Sequence, residues 1–297
     1  MKHLWQSTAL LLVVAVAGWF SLPLLATVPE FRLSSTTGDI NRGAYLARAS
    51  GCIACHTDIK GGGAPLAGGP PLVTEFGTFV APNLTTDPDH GIGAWSLEQF
   101  AIALRHGISP QGEPYYPAFP YEFYTRLSDQ DIADLWAAFR TVAPISQPTQ
   151  EHQLSFPFNL RRGLSLWQAL FLDEASFTAD TDQNQKYNRG KYLVESAAHC
   201  AACHSPRNLM GALKQDKLFE GADSTLEGEN RIPAISAAAL SEAGWTEADL
   251  SYALQTGVKL DGDVFGGSMA EVVKDGTGFL LKQDLDAIAY FLLNRED

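Results

Sequence analysis

The amino-acid sequence predicts an all-α protein with two homologous domains in tandem, preceded by an apolar N-terminal helix. Three observations support this fold class. The chain of 297 residues contains the same series of sequence blocks twice. Apolar residues within those blocks recur at helical spacing, and few strands are visible in the remainder. The first residues form a long apolar run, which is typical of a helix that meets a membrane.

Residues 1–27 predict a targeting segment. Lys2 precedes an apolar run, and residues 9–20 carry no charged side chain. Residues 8–26 would form a helix of about 28 Å, which is close to the thickness of a bilayer core. Two alternatives remain open, a secretory signal that is removed and a membrane anchor that is retained. Both place the rest of the chain outside the cytoplasm.

Internal similarity defines the domains, because matched blocks in one order indicate a tandem repeat. The matches are residues 42–57 with 189–205, residues 95–112 with 245–262, and residues 127–139 with 280–292. We therefore predict a first domain at residues 36–145, a connector at 146–185 and a second domain at 186–297. The apolar middle of the connector, residues 156–171, is expected to pack on one or both domains.

Local signals predict helices in each copy. Ser96 and Ser128 fit helix N-caps in the first copy, and Thr246 fits one in the second. Gly107 fits a C-terminal stop. Residues 61–79 are rich in Gly and Pro, and a loop of that length within a compact domain needs a large bound group to pack it.

All four cysteines lie in two copies of one pattern, CIACH at residues 52–56 and CAACH at residues 200–204. Two thiols one helical turn apart can bond both vinyl groups of one haem, and the adjacent histidine then ligates the iron. Zinc sites place such pairs closer in sequence, a thioredoxin-like pair needs a βαβ context, and disulfides leave the histidines unexplained. The patterns therefore predict two covalent haem c groups, attached through Cys52, Cys55, Cys200 and Cys203.

The axial iron ligands are predicted from the same residues. His56 and His204 would be the proximal ligands, and Met269 the distal ligand of the second haem, because methionine sulfur is common in electron carriers. Met210 follows His204 too closely for that role. Alignment of the copies places Phe119 opposite Met269, and a phenyl ring cannot bind iron. The first haem is therefore either five-coordinate or bound by a residue from elsewhere, with candidates His90, His106, His152, Tyr115, Tyr116 and Tyr121.

The chain from about Arg42 onward resembles the multihaem cytochrome c subunits of bacterial membrane-associated alcohol, gluconate and aldehyde dehydrogenases, and most closely their two-haem relatives. The resemblance is carried by GCIACHT, APNLTTDPDHGIGAWS, YYPAFPYEFY, HCAACHSPRNLMG and GGSMAEVV. It implies a cytochrome c fold in each domain and electron transfer in the periplasm or on the outer face of the inner membrane. The chain departs from those subunits in carrying two haem motifs rather than three, and in Phe119, where they have methionine.

Two functions follow as hypotheses. The first is a dihaem electron carrier between a periplasmic dehydrogenase or cytochrome and an oxidase or another carrier, with membrane contact through the N-terminal helix. The second is a haem enzyme that uses an open first haem on peroxide or a sulfur compound. The net charge of -13 argues against nucleic acid or an anionic membrane as a partner and fits docking to a basic protein patch.

Overall fold

The computed structural model describes residues 28–228 and 231–296, so the predicted targeting segment lies outside the described residues. The first copy comprises α1 (Ile40–Ala49), α2 (Cys52–His56), β1 (Pro71–Thr74), β2 (Gly77–Val80), α3 (Leu97–His106), α4 (Tyr121–Tyr124) and α5 (Asp129–Phe139). The connector contributes β3 (Gln153–Leu154) and α6 (Gly163–Phe171).

The second copy repeats this order with small additions. It comprises α7 (Gln185–Tyr192) with a π-helical turn (Leu193–Ala197), α8 (Ala201–His204), a 3-10 turn (Gln215–Lys217), β4 (Ala222–Asp223) and β5 (Arg231–Ile232). It continues with α9 (Ala237–Glu242), α10 (Glu247–Thr256), α11 (Gly267–Asp275), a 3-10 turn (Thr277–Phe279) and α12 (Lys282–Asn294). In the described part of the chain, no helix is both long and apolar enough to cross a bilayer.

The predicted helix boundaries are confirmed at the caps. The Ser96 hydroxyl accepts a hydrogen bond from the Gln99 backbone N–H, and the Gln99 side chain accepts one from the Ser96 backbone N–H. This capping box pairs two backbone N–H groups that have no partner within α3. Gly107 ends that helix in the left-handed region at φ 60°. Ser128 and Thr246 cap α5 and α10 in the same way as Ser96.

The all-α expectation needs one correction, because short strands are present. Strands β1 and β2 form an antiparallel hairpin with Pro71 opposite Val80, and β3 of the connector pairs with β2 at Gly77 and Leu154. Strands β4 and β5 form a second antiparallel pair. The segment at residues 61–79 therefore satisfies part of its backbone by pairing with itself and with the connector, as buried N–H and C=O groups require.

The first and last helices of each copy cross at very short range. A Cβ atom on Gly43 of α1 would lie 1.8 Å from the carbonyl oxygen of Asp134 in α5. A Cβ atom on Gly190 of α7 would lie 2.0 Å from the carbonyl oxygen of Ala287 in α12. Only glycine fits at both crossings, because any side chain would enter the facing backbone.

The two copies contact each other through equivalent residues. The Tyr45 hydroxyl donates to Asp284 at 2.6 Å, and the Tyr192 hydroxyl donates to Asp131. Under the repeat alignment Tyr45 corresponds to Tyr192 and Asp131 to Asp284. A contact in which each side presents the same residues to the other is isologous, as at a two-fold axis. The copies are therefore related by a pseudo-two-fold axis.

Backbone groups complete the same contact. The N–H of Leu281 donates to the Tyr45 hydroxyl at 3.2 Å, and the N–H of Ser128 donates to the Tyr192 hydroxyl at 3.0 Å. Arg189 binds both carboxylate oxygens of Asp284, whereas Arg42 reaches Asp131 and Asp134. One hydrophobic cluster, with Leu46 from α1 and Leu193 from the π-helical turn among its members, extends through both copies.

The connector packs through only part of its apolar stretch. Leu164 and Trp167 of α6 are buried, whereas Phe156 and Leu170 are exposed. The connector also contacts the first copy at its start, because the Asn83 amide donates to the carbonyl of Gln147 at 3.1 Å.

Candidate functional site

The two cysteine motifs form matching short helices. In α2 the N–H of Cys55 donates to the carbonyl of Gly51, and around α8 the N–H of His204 donates to the carbonyl of Cys200. Both turns therefore place their paired thiols about one helical turn apart. None of the four cysteines forms a disulfide. The first cysteine of each motif is partly buried and the second is exposed.

The two motif histidines have the same orientation. The Nδ1 atom of His56 lies 2.7 Å from the carbonyl oxygen of Pro82, and Nδ1 of His204 lies 2.9 Å from that of Pro233. A carbonyl oxygen can only accept, so Nδ1 must carry the proton in both rings. The Nε2 lone pair of each ring is therefore available to a metal, and a fixed Nδ1–H partner is what a metal-bound histidine needs.

Protonation states agree with that orientation. Desolvation lowers the pKa of His56 to about 4, although the hydrogen bond to Pro82 opposes this shift. Desolvation likewise lowers the pKa of His204. Both imidazoles are therefore neutral at pH 7, as ligation of iron requires. Burial raises the pKa of Cys52 and of Cys200 to about 12, so both thiols are protonated at pH 7.

The alternatives to haem attachment gain no support from the geometry. Within residues 28–228 and 231–296, no cluster of three His, Cys, Asp or Glu side chains could hold a metal ion. Paired thiols one turn apart, followed by a neutral imidazole with a free Nε2, fit covalent haem c. The residues present therefore suit the group that the motifs predict.

The two motifs meet at the pseudo-two-fold axis. A Cβ atom on Gly51 would lie 3.6 Å from Cε1 of His199, and these residues are equivalent in the two copies. Each directly precedes the first cysteine of its motif. Cys203 also lies close enough to Cys55 to act on its thiol electrostatically. Because Gly51 contacts His199, its equivalent in the other copy, both cysteine motifs lie beside the pseudo-two-fold axis.

His199 breaks the symmetry of this contact. It has a φ of 40°, in the left-handed region where its counterpart Gly51 lies at 68°. Its ring packs against those of Phe123 and Tyr124, with centroids 6.0 and 5.7 Å away, and its Nδ1 bonds to the carbonyl of Ala197. An aromatic residue of the second copy therefore fills the space between the two motifs.

The predicted distal residues occupy different surroundings. Met269 lies in the first turn of α11, partly buried against the main hydrophobic cluster. The same helix contacts the first copy, because Glu271 accepts from Lys60 at 2.6 Å. Met210 is half exposed at the tip of a turn, where its carbonyl accepts from Trp167 at 2.9 Å. The turn therefore directs the Met210 side chain toward the surface.

Phe119 lies in a group of aromatic rings. The centroids of Tyr115, Tyr124 and Tyr121 are 5.7, 5.8 and 6.1 Å from that of Phe119. The hydroxyl of Tyr121 donates to the carbonyl of Tyr115, and that of Tyr124 donates to the carbonyl of Ser50, next to the first motif. The position that aligns with Met269 is thus partly buried among aromatic rings.

The six other candidate ligands of the first haem make different contacts in the structure. Tyr115 and Tyr121 contact Phe119, as described above. The His106 imidazole binds Glu174 through Nδ1 at 2.7 Å and lies against Phe31. His152 accepts the N–H of Val80 at 3.2 Å. The Tyr116 hydroxyl donates to the carbonyl of Phe158, and His90 is exposed in a turn.

Several residues that shape the site were not predicted from the sequence. Pro82 and Pro233 orient the histidines, Gly43 and Gly190 permit the helix crossings, and His199 lies at the axis. A signal for some of them was present in the matched strings RGAYL and RGKYL, where glycine and tyrosine recur at fixed distance from the motif. The proline carbonyls had no such signal, because their role depends on where a loop returns.

Comparison with known proteins gives consistent matches. The family described as Cytochrome c matches residues 40–140. A protein named Diheme cytochrome c-type from Cereibacter sphaeroides is 39% identical over 98% of this chain and 97% of its own length. The fructose dehydrogenase cytochrome subunit of Gluconobacter japonicus is 40% identical over 85% of this chain and 52% of the subunit.

A third relative extends this pattern. The gluconate 2-dehydrogenase cytochrome c subunit of Pantoea cypripedii is 37% identical over 85% of this chain and 58% of the subunit. The chain thus covers nearly all of the first relative and a little over half of each dehydrogenase subunit.

Proposed function

Because the chain belongs to the family of dihaem c-type cytochromes, we propose that it carries electrons between two proteins on the periplasmic side of the inner membrane. The donor is a dehydrogenase or cytochrome, and the acceptor is an oxidase or another carrier. The observation that carries this proposal is the meeting of two equivalent Cys-x-x-Cys-His turns at the pseudo-two-fold axis. Two redox groups held that close are arranged for exchange with each other.

We assign one haem c to each motif. Cys52 and Cys55 attach the first haem, and Cys200 and Cys203 attach the second. When bound, haem iron supplies the one-electron redox chemistry. The chain supplies a fixed orientation for each proximal imidazole, His56 through Pro82 and His204 through Pro233.

The distal sides of the two sites differ in their chemistry. Met269 would supply a sulfur ligand to a haem held at the second motif, and a soft sulfur ligand favours the reduced state. Phe119 offers only ring faces to the first. The two sites should therefore have unequal potentials, with the higher at the second motif, and this difference gives electron flow a direction.

The proposed partner class rests on charge and on the relatives. The net charge of -13 favours docking to a basic surface. Relatives that share 37–40% identity are named as cytochrome subunits of dehydrogenases. A periplasmic dehydrogenase is therefore the donor we propose.

A second candidate function rests on Phe119. Without a protein ligand at that position, the first iron could bind a small substrate such as peroxide or a sulfur compound, with the second haem feeding electrons. The observation that favours it is the replacement of a ligating methionine by phenylalanine. The observation against it is that aromatic rings surround that position and supply no acid–base pair.

Three measurements test the assignment. Mass spectrometry of the exported protein should show two covalent haems per chain, and the bare polypeptide mass would contradict this assignment.

Reduced protein exposed to carbon monoxide should keep its spectrum if the protein is an electron carrier. Binding of carbon monoxide at one haem per chain would instead support the enzyme. Met269→Ala should change the absorption spectrum of one haem and lower its midpoint potential. The control Met210→Ala should change neither. If both variants had the same spectrum, Met269 would not be an iron ligand.

A further inference from the structure

A continuous apolar surface covers the connector side of the molecule. Leu209 is 98% exposed, Phe156 78% and Leu170 59%. We call this surface the connector patch, and its members are Phe156, Phe158, Leu160, Leu166, Leu170, Leu209 and Met210. A leucine almost wholly exposed at the tip of a turn indicates a partner, since large contiguous apolar patches are rare on soluble monomers.

Contacts beneath the connector patch show that it is continuous. The Phe76 ring lies 4.8 Å from that of Phe158, and a Cβ atom on Gly211 would lie 3.6 Å from Cζ of Phe76. The Trp167 indole donates to the carbonyl of Met210 at 2.9 Å. The turn that carries Leu209 is therefore joined both to α6 and to the Phe158 segment.

Helix α6 is apolar on its inner and its outer face. Leu164 and Trp167 point into the protein and are buried, whereas Leu166 and Leu170 point outward. Neither end turn carries an acidic or basic residue, and Gln168 is turned inward to the carbonyls of His106 and Gly107. A helix that is apolar all round is typical of a protein core or of an apolar medium.

The chain enters the described structure at the edge of this patch. Val28 lies beside Gly112, where a Cβ atom on that glycine would meet Val28 at 3.4 Å. The same loop holds the connector, because the Arg161 guanidinium donates to the carbonyl of Pro114 at 3.2 Å. The apolar run at residues 8–26 ends directly before Val28.

Charges around the patch permit contact with an apolar phase. Arg162 is exposed between the Phe158 segment and α6. The carboxylates that follow α6 are paired, Asp173 with Arg126 at 3.2 Å and Glu174 with His106 at 2.7 Å. Arg126 therefore neutralises Asp173, and Arg162 adds a positive charge beside the patch.

We propose that the connector patch rests on the surface of a lipid bilayer, with Leu209 and the outer face of α6 at the level of the headgroups and upper acyl chains. Burial of apolar side chains drives this contact, and a cation beside them suits the headgroup region. The inference depends on the proposed location outside the cytoplasm. It predicts that the molecule has a fixed orientation on the membrane, set by the connector as well as by the N-terminal segment.

Site-specific photocrosslinking in the producing membranes tests this contact. The full haem-loaded chain carries p-benzoylphenylalanine in place of Phe156, and a matched protein carries it in place of Tyr252, an aromatic residue of α10 that is also exposed. Mass spectrometry then identifies what each probe has captured. We expect lipid adducts about tenfold more abundant at position 156, because burial of one large apolar side chain is worth roughly that factor in partition.

The molecules captured by the two probes decide whether the connector patch contacts lipid. Capture of a dehydrogenase, of a second copy of this chain or of nothing at position 156 would overturn the proposal, as would equal lipid capture at both positions. A second variant, Leu170→Ser, should reduce lipid capture at position 156 about tenfold for the same reason. Haem absorbance is recorded on every protein, so absence of lipid capture at position 156 with the connector patch intact and both haems present would contradict this contact and leave the proposed electron transfer intact.

Discussion

Substitution of Gly43 by alanine tests the close helix crossing on which the first domain depends. The new Cβ atom would lie 1.8 Å from the carbonyl oxygen of Asp134 and 2.8 Å from Cβ of Ala138. Since non-bonded carbon contacts lie near 3.5 Å, α1 and α5 would have to separate by about 1.5 Å. Neither contacting atom belongs to a flexible side chain, so local adjustment cannot relieve the overlap.

The expected loss of stability follows from two opposing effects. Overpacking at a rigid contact costs about 3 kcal/mol, and replacing a helical glycine by alanine returns about 1 kcal/mol. The net destabilisation is therefore about 2 kcal/mol, which corresponds to a fall in Tm of about 3 °C for a chain of this size. Gly190→Ala should have a similar effect, because its Cβ would lie 2.0 Å from the carbonyl oxygen of Ala287.

Thermal unfolding followed by far-UV circular dichroism measures the effect on the haem-loaded protein. The control is Gly163→Ala at the start of α6, where an added Cβ would have no neighbour within 4 Å. That variant should be neutral or more stable by up to about 1 kcal/mol. If Gly43→Ala matched Gly163→Ala or the unsubstituted protein, the crossing would not be as close as described.

Three further predictions concern the axis, acid stability and the first iron. Tyr45→Phe and Tyr192→Phe should each cost about 2 kcal/mol in chemical denaturation, because each removes one donor to a buried carboxylate and leaves the N–H of Leu281 or Ser128 without its acceptor; no loss in either would contradict the reciprocal contact. Burial alone would raise the pKa of Asp284, but hydrogen bonds from Arg189 and Tyr45 bring it below the usual value. The stability that this carboxylate contributes is therefore present above about pH 4 and is lost as the pH falls through its lower folded pKa. When Tm is measured against pH, it should fall less steeply toward acid pH in Asp284→Asn than in the unsubstituted protein. An unchanged slope would refute the assignment. Phe119→Met should raise the midpoint potential of one haem in a redox titration and leave the other unchanged, whereas two unchanged potentials would show that position 119 does not face the first iron.

Much of the local structure followed from the sequence because its causes are local. A serine or threonine cap acts within three residues, so Ser96, Ser128 and Thr246 could be assigned from their neighbours alone. The Cys-x-x-Cys-His spacing is likewise a property of one helical turn. The N-terminal segment stays a prediction, since residues 1–27 lie outside the described structure.

The failures of prediction all involve contacts between distant segments. The strands at residues 71–80 were missed because a Gly/Pro-rich composition indicates a loop, whereas pairing with Gln153–Leu154 depends on the return of the connector. The haem ligands stay predictions, because which side chain reaches an iron also depends on contacts between distant segments.

The sequence by itself determined the repeat, the two attachment motifs and most helix ends, because each of these is encoded within a few adjacent residues. Only the tertiary structure decided that the repeats face each other across a pseudo-two-fold axis, with Gly51 against His199 and Tyr45 on Asp284. A sequence match shows that two segments share a fold, but it holds no information on which of their surfaces meet. That choice depends on side chains more than 100 residues apart becoming neighbours, such as Tyr45 and Asp284 at a separation of 239 residues.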